Sequence, residues 1–418
     1  MKTTKLYQSD TYLKEWDASV TSVEKIDNAD DRFIITLDRT AFFPEGGGQS
    51  CDIGHIDDLD VIDVQESEDG QQVLHTVAGA AGSGIATGDT VHCSIDWERR
   101  FDNMQRHCGE HILSGVFYSL FGGVNRGFHM GHEYMTIDIS LEEDPKKKDI
   151  TWEDALAAQL EANKVIWSDA PVTVIRFDSR DKAEKMPLRK ALAFDEDISI
   201  VCVGSVENAA DCVACCGTHP STAGQIGAIK IFKVEKYKGM FRIYFEAGQR
   251  ALADYNVKHD ILTALSNRYS SSIEDFPEKL KAQEKKLSAV KDELFHLKKA
   301  YIENEIDKLD EMIGRSAEED GGSSKVIVYP LPHLSMDDAF TMGKHYMEKT
   351  DRLIMLYSEK DTSYILVSGG IPDCGSLVKE YASFYNGKGG GNKVSARAIF
   401  SDQKDAQLFA ELIEKHLR

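Results

Sequence analysis

Phe33, Ile35 and Leu37 fall at alternate positions, and Val91, Cys93 and Ile95 repeat the same beat. A period of two marks strands with one buried face. Gly/Asp turns separate these runs, so residues 1–98 read as all-β and are expected to close into a small barrel. From Asp102 to Phe121 the period changes. Met104, Cys108, Ile112, Val116 and Leu120 recur every fourth residue, with Leu113 and Phe117 alongside. That spacing predicts an amphipathic helix. A second helix is expected near Thr151–Trp167, with Trp152, Leu156 and Leu160 on one stripe. Short strands follow at 172–177, 198–203, 228–234 and 241–245. In the last, Phe241, Ile243 and Phe245 alternate with Arg242, Tyr244 and Glu246, as a half-exposed strand requires. Residues 99–250 therefore form a mixed α+β unit.

Residues 251–313 read as helical, with a break near Ser270–Pro277. Leu280, Leu287, Leu294 and Tyr301 recur every seventh residue, with Val290 and Leu297 between them and Gln283 and Asn304 breaking the inner positions. This heptad pattern predicts a coiled-coil arm over 251–315, pairing either with a second copy or within an intramolecular hairpin; a homodimer would form through this arm or through the C-terminal module that follows it. The polar run 316–324 reads as a linker. Residues 325–418 follow a β-α-β-β-α-loop-β-α order, a compact α/β module. Its loop Asn386–Asn392 holds Lys388, Gly389, Gly390, Gly391 and Asn392. It is either a flexible turn or a set of backbone amides for phosphate or RNA backbone. The fold class is α+β multidomain: barrel, central unit, helical arm and C-terminal module.

At 418 residues the chain is too long for one ordinary core. It lacks a run of about 18 apolar residues and a signal peptide, so a soluble, cytoplasmic protein without membrane contact is expected. Eight cysteines, two of them adjacent (Cys215 and Cys216), suit metal ligation or buried thiols better than a disulfide framework. The net charge of −21 disfavours non-specific nucleic-acid binding, because phosphate binding needs local positive potential. Local basic clusters, among them Arg99-Arg100, 185–190 and 230–238, leave room for a confined RNA groove.

The chemistry concentrates in His107-Cys108-Gly109-Glu110-His111 and Cys215-Cys216-Gly217-Thr218-His219. The i,i+4 spacing puts both imidazoles of the first on one helix face, one turn apart. The second lies in a Gly/Thr/Pro-rich turn. Together they offer three nitrogens and one sulfur, a set suited to tetrahedral zinc (Zn²⁺), from His107, His111, Cys215 and His219. Spacing to His219 favours Cys215 over Cys212 and Cys216. HCGEH lacks the Glu beside the first His of HExxH, which argues against a peptidase. Gly46, Gly47, Gly48 and Gln49, inside the first unit, read on their own as a hairpin loop.

Five motifs, in order, resemble the editing domain of alanyl-tRNA synthetases and the freestanding AlaX proteins: TAFFPEGGGQSCDIG (40–54), IDWERRFDNMQRHCGEHILSGVF (95–117), MPLRK (186–190), CCGTHPSTAGQIG (215–227) and FRIYFEAGQRAL (241–252). GKGGGNKVSARA (387–398) resembles the module that follows that domain in the synthetase. The resemblance implies a long-form AlaX-like hydrolase that deacylates mischarged tRNA-Ala, carrying serine and sometimes glycine. It places the zinc ligands on the four residues above, and Gly46 to Gln49 near the aminoacylated tRNA end. No ATP use or ligase activity is expected. Cys108 stands where the synthetases usually have Thr, Cys216 where Gly is usual, and Arg126-Gly127 near a usual Gln, which bears on amino-acid preference. Thr218, Gln49 and Cys108 are the candidates to meet a seryl hydroxyl. The general base is not assigned. Glu110 sits about 60° round the helix from His107 and about 100° from His111. The competing readings are a non-catalytic zinc-stabilised tRNA-binding protein and a different zinc hydrolase. A phosphoesterase lacks its Asp-His-His motif here.

Overall fold

The computed structural model describes residues 2–26, 31–79, 84–141, 147–193, 195–319 and 325–417, without the side chains of 316–319. Its contacts divide the chain into two compact units, Met1–Leu265 and Ser266–Arg418.

In the first unit, β1 (Thr4–Lys5) pairs in parallel with β4 (Arg39–Thr40). β2 (Glu15–Lys25), β3 (Arg32–Leu37), β5 (Gly54–Ile56), β6 (Leu59–Glu66), β7 (Val73–Ala78) and β8 (Thr90–Ile95) close a barrel in the order β2-β3-β7-β6-β5-β8. The expected alternation is visible: Val91, Cys93 and Ile95 point inward, joined by Ile35, Leu37, Val61 and Val77 in one core. The long helix α1 (Trp97–Phe121) follows. Next come β9 (Val124–Met130), β10 (Met135–Ser140), α2 (Trp152–Trp167), β11 (Val172–Phe177), α3 (Arg180–Ala183), β12 (Ile198–Val203), β13 (Asp211–Ala214), β14 (Ile229–Tyr237) and β15 (Met240–Ala247). They build two sheets, β14-β15-β10-β9 and β11-β12-β13. α4 (Gly248–Tyr269) leaves this unit.

α1 begins five residues before the sequence-based start. Asp96 caps it, its side chain accepting from the Arg99 amide at 3.0 Å. Arg99, Arg100 and Asn103 hid that turn, because an amphipathic pattern cannot register a polar face turned inward. Arg100, Arg106, His107, Glu110 and His111 are all buried, whereas Leu120 of the expected apolar stripe is exposed. Both buried arginines are paired with carboxylates. Arg100 donates from Nε to both Asp52 oxygens (3.0 Å each) and from Nη1 to the Thr11 carbonyl (2.9 Å). Arg106 donates to Glu246 at 3.0 and 2.6 Å. Breaking such a buried pair by removing one partner costs roughly 3–5 kcal/mol.

α2 spans nearly the expected range but is turned the other way. Ala155, Ala158, Ala162 and Ile166 are buried, while Trp152, Leu156 and Leu160 lie outside. α2 packs on α1 and β14, and that close approach admits methyl groups better than large side chains. Leu160 and Trp167 instead line a cavity of about 710 Å³ with Leu252 and Tyr255 of α4.

The second unit holds α5 (Phe276–Glu319), β16 (Val326–Leu331), α6 (Met336–Gly343), β17 (Leu353–Ser358), β18 (Ser363–Val367), α7 (Cys374–Tyr381), β19 (Lys388–Gly391), β20 (Ser395–Ile399) and α8 (Gln403–Leu417). Its sheet runs β16-β17-β18-β20-β19. α5 continues into the segment expected as linker, and residues 320–324 of that segment lie outside the described residues. Toward its C-terminal end α5 packs on the module through Tyr301, Ile302, Ile306, Leu309 and Ile313. The coiled-coil stripe Leu280–Leu297 is exposed. The glycine-rich segment is also not the expected loop. Lys388–Gly391 forms the sheet's edge strand, so Gly389 and Gly391 face backbone of β20 (carbonyls of Arg397 and Ser395), where a Cβ would collide. The backbone polar groups that face β20 serve the ladder rather than a phosphate cradle.

Among the described residues, no helix is long and apolar enough to cross a membrane. A disulfide joins Cys202 and Cys212, opposite residues of β12 and β13, which departs from the expectation of ligands and free thiols; the other six cysteines are free.

In the barrel, His75 is fully buried. Its Nδ1 donates to the Ile35 carbonyl (2.9 Å), so its Nε2 accepts from the Thr40 hydroxyl (2.9 Å). Burial pushes its pKa from 6.5 down to about 4. The unfolded chain binds this proton more readily than the fold, so stability falls as pH drops from 6.5 toward 4, by about 3 kcal/mol at most. Urea melts at pH 7, 5 and 4 are expected to show a steeper acid loss in the native chain than in His75→Gln. Equal slopes would count against this assignment.

Candidate metal centre

The two ligand pairs reach one point because α1 and the chain after β13 approach very closely. At Gly115 of α1 a Cβ would lie 2.0 Å from the Ala210 carbonyl oxygen and 2.9 Å from the Asp211 Cβ. Only glycine permits that contact, which draws the start of β13 onto the helix. At Gly217 a Cβ would lie 2.3 Å from His107 Cε1. The turn after β13 thus lies directly against the ligand ring.

His107 and His111 present stacked rings with centroids 5.1 Å apart, one turn apart on α1. The His219 ring lies 4.8 Å from His107 and 4.9 Å from His111. The Cys215 Sγ is 3.4 Å from His107 Nε2. One ligand atom from each of the four lies within 4.8 Å of the others, a group that could hold a metal ion.

Protonation is fixed from outside this ring. Gln49 Oε1 accepts from His107 Nδ1 (2.9 Å) and from the Thr218 amide (3.1 Å), while Gln49 Nε2 donates to Thr218 Oγ1 (2.8 Å). A carboxamide oxygen only accepts, so the proton of neutral His107 sits on Nδ1 and Nε2 offers a lone pair. Asp211 does the same for His111, accepting from Nδ1 at 2.9 Å. Arg189 donates to both Asp211 oxygens (2.5 and 3.2 Å). Burial opposes ionisation of Asp211, but His111 and Arg189 hold it below the usual carboxylate range. Burial likewise opposes the Cys215 thiolate, yet His107, His111 and His219 pull the thiol well below its ordinary value. Burial drives His219 down to about 4 against the Cys215 charge. His111 goes the other way: burial is outweighed by Cys215 and Asp211, and its pKa is raised.

Three buried nitrogens, His111 Nε2 and both of His219, have no hydrogen-bond partner. An orphaned buried polar atom costs about 1–3 kcal/mol. Several at one point, facing a thiolate, fit a cation. Ligand atoms around a tetrahedral ion bound at roughly 2.0–2.3 Å lie roughly 3.5 Å apart, close to the separation of Cys215 and His107.

The other sequence candidates divide. Gly46, Gly47 and Gly48 form a tight turn closed by Gly46–Gln49 backbone hydrogen bonds of 3.1 and 3.0 Å, and Gly47 lies beside Cys216. That turn delivers Gln49 to His107, and Thr218 joins them. Cys108 does not. It is fully buried in the apolar core with Ile112, Leu113 and Ile137, and burial pushes its thiol far up, so it stays protonated. Cys212 is removed as a ligand by its bond to Cys202, and Cys216 is exposed. Lys388 to Asn392 belong to the second unit. Glu110 accepts from Ser114 Oγ (2.6 Å) and Asn125 Nδ2 (2.8 Å), a buried network within the helix's surroundings. The sequence reading missed Asp211, Arg189 as its anchor, and Phe128, whose ring stacks on His107 with centroids 5.7 Å apart. For the first two a signal existed: an acid four residues before Cys215, and an arginine inside the quoted MPLRK.

Residues 3–99 match the class II (A) tRNA synthetase family, and residues 198–244 match the second additional domain of threonyl and alanyl tRNA synthetases. The barrel and the segment 198–244, which holds the loop after β13, thus each match a synthetase-related domain. The chain is 30% identical to the alanyl-tRNA editing protein AlaX-L of Pyrococcus horikoshii, over 98% of each chain. It is 34% identical to AlaX-M of Methanosarcina acetivorans, over 57% of this chain and 97% of the relative. The alanine–tRNA ligase of Pyrococcus furiosus matches at 28% over 98% of this chain but 43% of the ligase. The chain belongs to the alanyl-tRNA editing protein family.

Asp211→Asn is expected to lower metal affinity about 10–100-fold, the usual effect of losing a ligand's hydrogen-bonding partner. Competition against a chromogenic chelator measures it; unchanged affinity would remove Asp211 from the site.

Proposed function

We propose that this protein is an aminoacyl-tRNA deacylase that edits in trans. It hydrolyses the ester of tRNA-Ala carrying serine, with glycine as second substrate, at a zinc ion held by His107, His111, Cys215 and His219. The observation that carries this reading is the cluster itself: three imidazoles and a thiolate, with orphaned lone pairs, in a chain of the editing family. Three nitrogens and one sulfur suit zinc over the hard, oxygen-seeking cations. Bound there, zinc would supply Lewis-acid polarisation of an ester carbonyl.

The chain's own residues do the positioning. Gln49 holds the His107 tautomer and the Thr218 backbone together. Asp211, anchored by Arg189, holds His111. The turn Gly46–Gly48 lies against Phe128 and Cys216 beside the cluster, and the acylated end of the tRNA would lie near it. The Thr218 hydroxyl accepts from Gln49 Nε2 and retains its proton to donate to a seryl hydroxyl. A site that hydrogen-bonds this group rejects the alanyl ester lacking it by as much as about 10⁴. Lys388 and the flanking edge strand through Asn392 contribute contacts to the tRNA backbone. We retain four functional segments, 1–98, 99–250, 251–315 and 325–418, as barrel, editing domain, helical arm and C-terminal module. One observation favours a second reading, a non-catalytic zinc-stabilised tRNA binder: four protein ligands close a tetrahedron, the habit of structural sites.

Incubation with Ser-, Gly- and Ala-charged tRNA-Ala decides between them. Rapid loss of the seryl ester with the alanyl ester intact is expected, and Cys215→Ala should lose both zinc and rate. Thr218→Val should slow seryl hydrolysis about tenfold, the worth of one hydrogen bond, with zinc content unchanged. Zinc-loaded protein that removes none of the three is the binder. Full zinc and full rate in Cys215→Ala would falsify the assignment of the site.

A further inference from the structure

A seryl ester offers three polar groups to a site: its carbonyl, its side-chain hydroxyl and its α-ammonium. The reading above gives the carbonyl to the metal and the hydroxyl to Thr218. It leaves the ammonium, the one cation at that end of the substrate, without a partner. A cation that gives up its hydration in an enclosed site needs an opposite charge in exchange. Glu110, the residue before His111 on α1, holds such a charge.

Glu110 is 5% exposed, and its carboxylate is held by one oxygen only. The Gly127 amide donates to Asn125 Oδ1 (3.0 Å), which turns Asn125 Nδ2 toward Glu110 Oε1 (2.8 Å) and Ser114 Oγ (2.9 Å). The Ser114 hydroxyl donates to the same Oε1 (2.6 Å). Among the described residues Oε2 has no hydrogen-bond or ion-pair partner. Unlike the sealed nitrogens of His111 and His219, it keeps accessible surface. Nor does it serve a second metal: among the described residues, His107, His111, Cys215 and His219 are the one group of three or more side chains close enough to hold an ion. The charge of Glu110 is felt at His111, Arg189 and Lys190, which sets it at the edge of the ligand ring. Arg189 is committed to Asp211, and no ion pair joins Lys190 to Glu110. One carboxylate oxygen is thus fixed beside the metal centre with nothing of the chain's own bonded to it.

We propose that Glu110 Oε2 accepts from the α-ammonium of the aminoacyl group, so that a free amine is part of what this site selects. The inference rests on the deacylase reading above. An N-acylated or peptidyl ester carries no cation at that position. It sets an uncharged amide against the carboxylate and leaves the buried charge unpaired, which is the condition under which a site rejects an analogue most strongly.

Measuring kcat/KM for Ser-tRNA-Ala and for N-acetyl-Ser-tRNA-Ala, with the native protein and Glu110→Gln, tests this. Glutamine keeps an oxygen for Ser114 and Asn125, so zinc content and melting profile are expected to stay native. The native protein is expected to prefer the free amine about 10–100-fold, the usual effect of a hydrogen bond to a charged group. Glu110→Gln should remove that preference by slowing the free amine alone. Equal slowing of both esters would make Glu110 a general base for water and overturn the proposal. A native protein without preference, or a substitution without effect, overturns it too. If the native protein hydrolyses neither ester, the deacylase reading fails and binding decides the inference by itself. The probe is then tRNA-Ala carrying seryl through an amide link, with and without the N-acetyl group. Tighter native binding of the free amine, equalised in Glu110→Gln, sustains the role of Glu110; equal native binding ends it.

Discussion

Two hydrogen bonds, Gln49 to His107 and Asp211 to His111, govern the rest of this site. Each accepts the Nδ1–H of an imidazole, which keeps its proton there, and leaves Nε2 as a lone pair at a common point. They come from different elements, one from the turn after β4 and one from the first residue of β13. The candidate metal site therefore assembles only when the barrel, α1 and the β11–β13 sheet are all in place. Ligand geometry is a property of the first unit as a whole rather than of a loop.

That demand explains the character of α1. A helix carrying Arg100, Arg106, His107, Glu110 and His111 into the interior is costly unless every one finds a partner. Asp52, Glu246, Gln49, Asn125 and Asp211 provide those partners, and all come from other elements. The charge on Arg100 is bonded to the segment 41–52, so the helix start and the glycine turn are fixed to each other as firmly as the ligands are. What remains unpaired, on His111 and His219, is what an ion would satisfy.

Much of this was legible from residue pattern, and the failures share a physical cause. Val91, Cys93 and Ile95 alternate because one face of β8 is core, and periodicity reads that directly. The i,i+4 pair His107/His111 and the turn pair Cys215/His219 were legible as donors by their chemistry. Pattern reading assumes that apolar residues point inward and polar ones outward. It therefore started α1 too late at Asp102, put the Trp152–Leu156–Leu160 stripe of α2 inside, and took Cys108 for a site residue although its thiol is core. It passed over Asp211, whose role comes from a close approach at Gly115, and could not see Phe128, whose ring stack is formed by chain segments distant in sequence.

Glycine and leucine repeats show the same ambiguity in the second unit. Lys388–Gly391 has the composition of a phosphate-binding loop, yet Gly389 and Gly391 are demanded by the backbone of Arg397 and Ser395 against which the edge strand lies. The heptads of α5 have the composition of a buried seam, yet only their continuation past Tyr301 is covered within the chain. Composition specifies what a segment is able to contact; the partner that it meets is set by distant chain, or by another molecule.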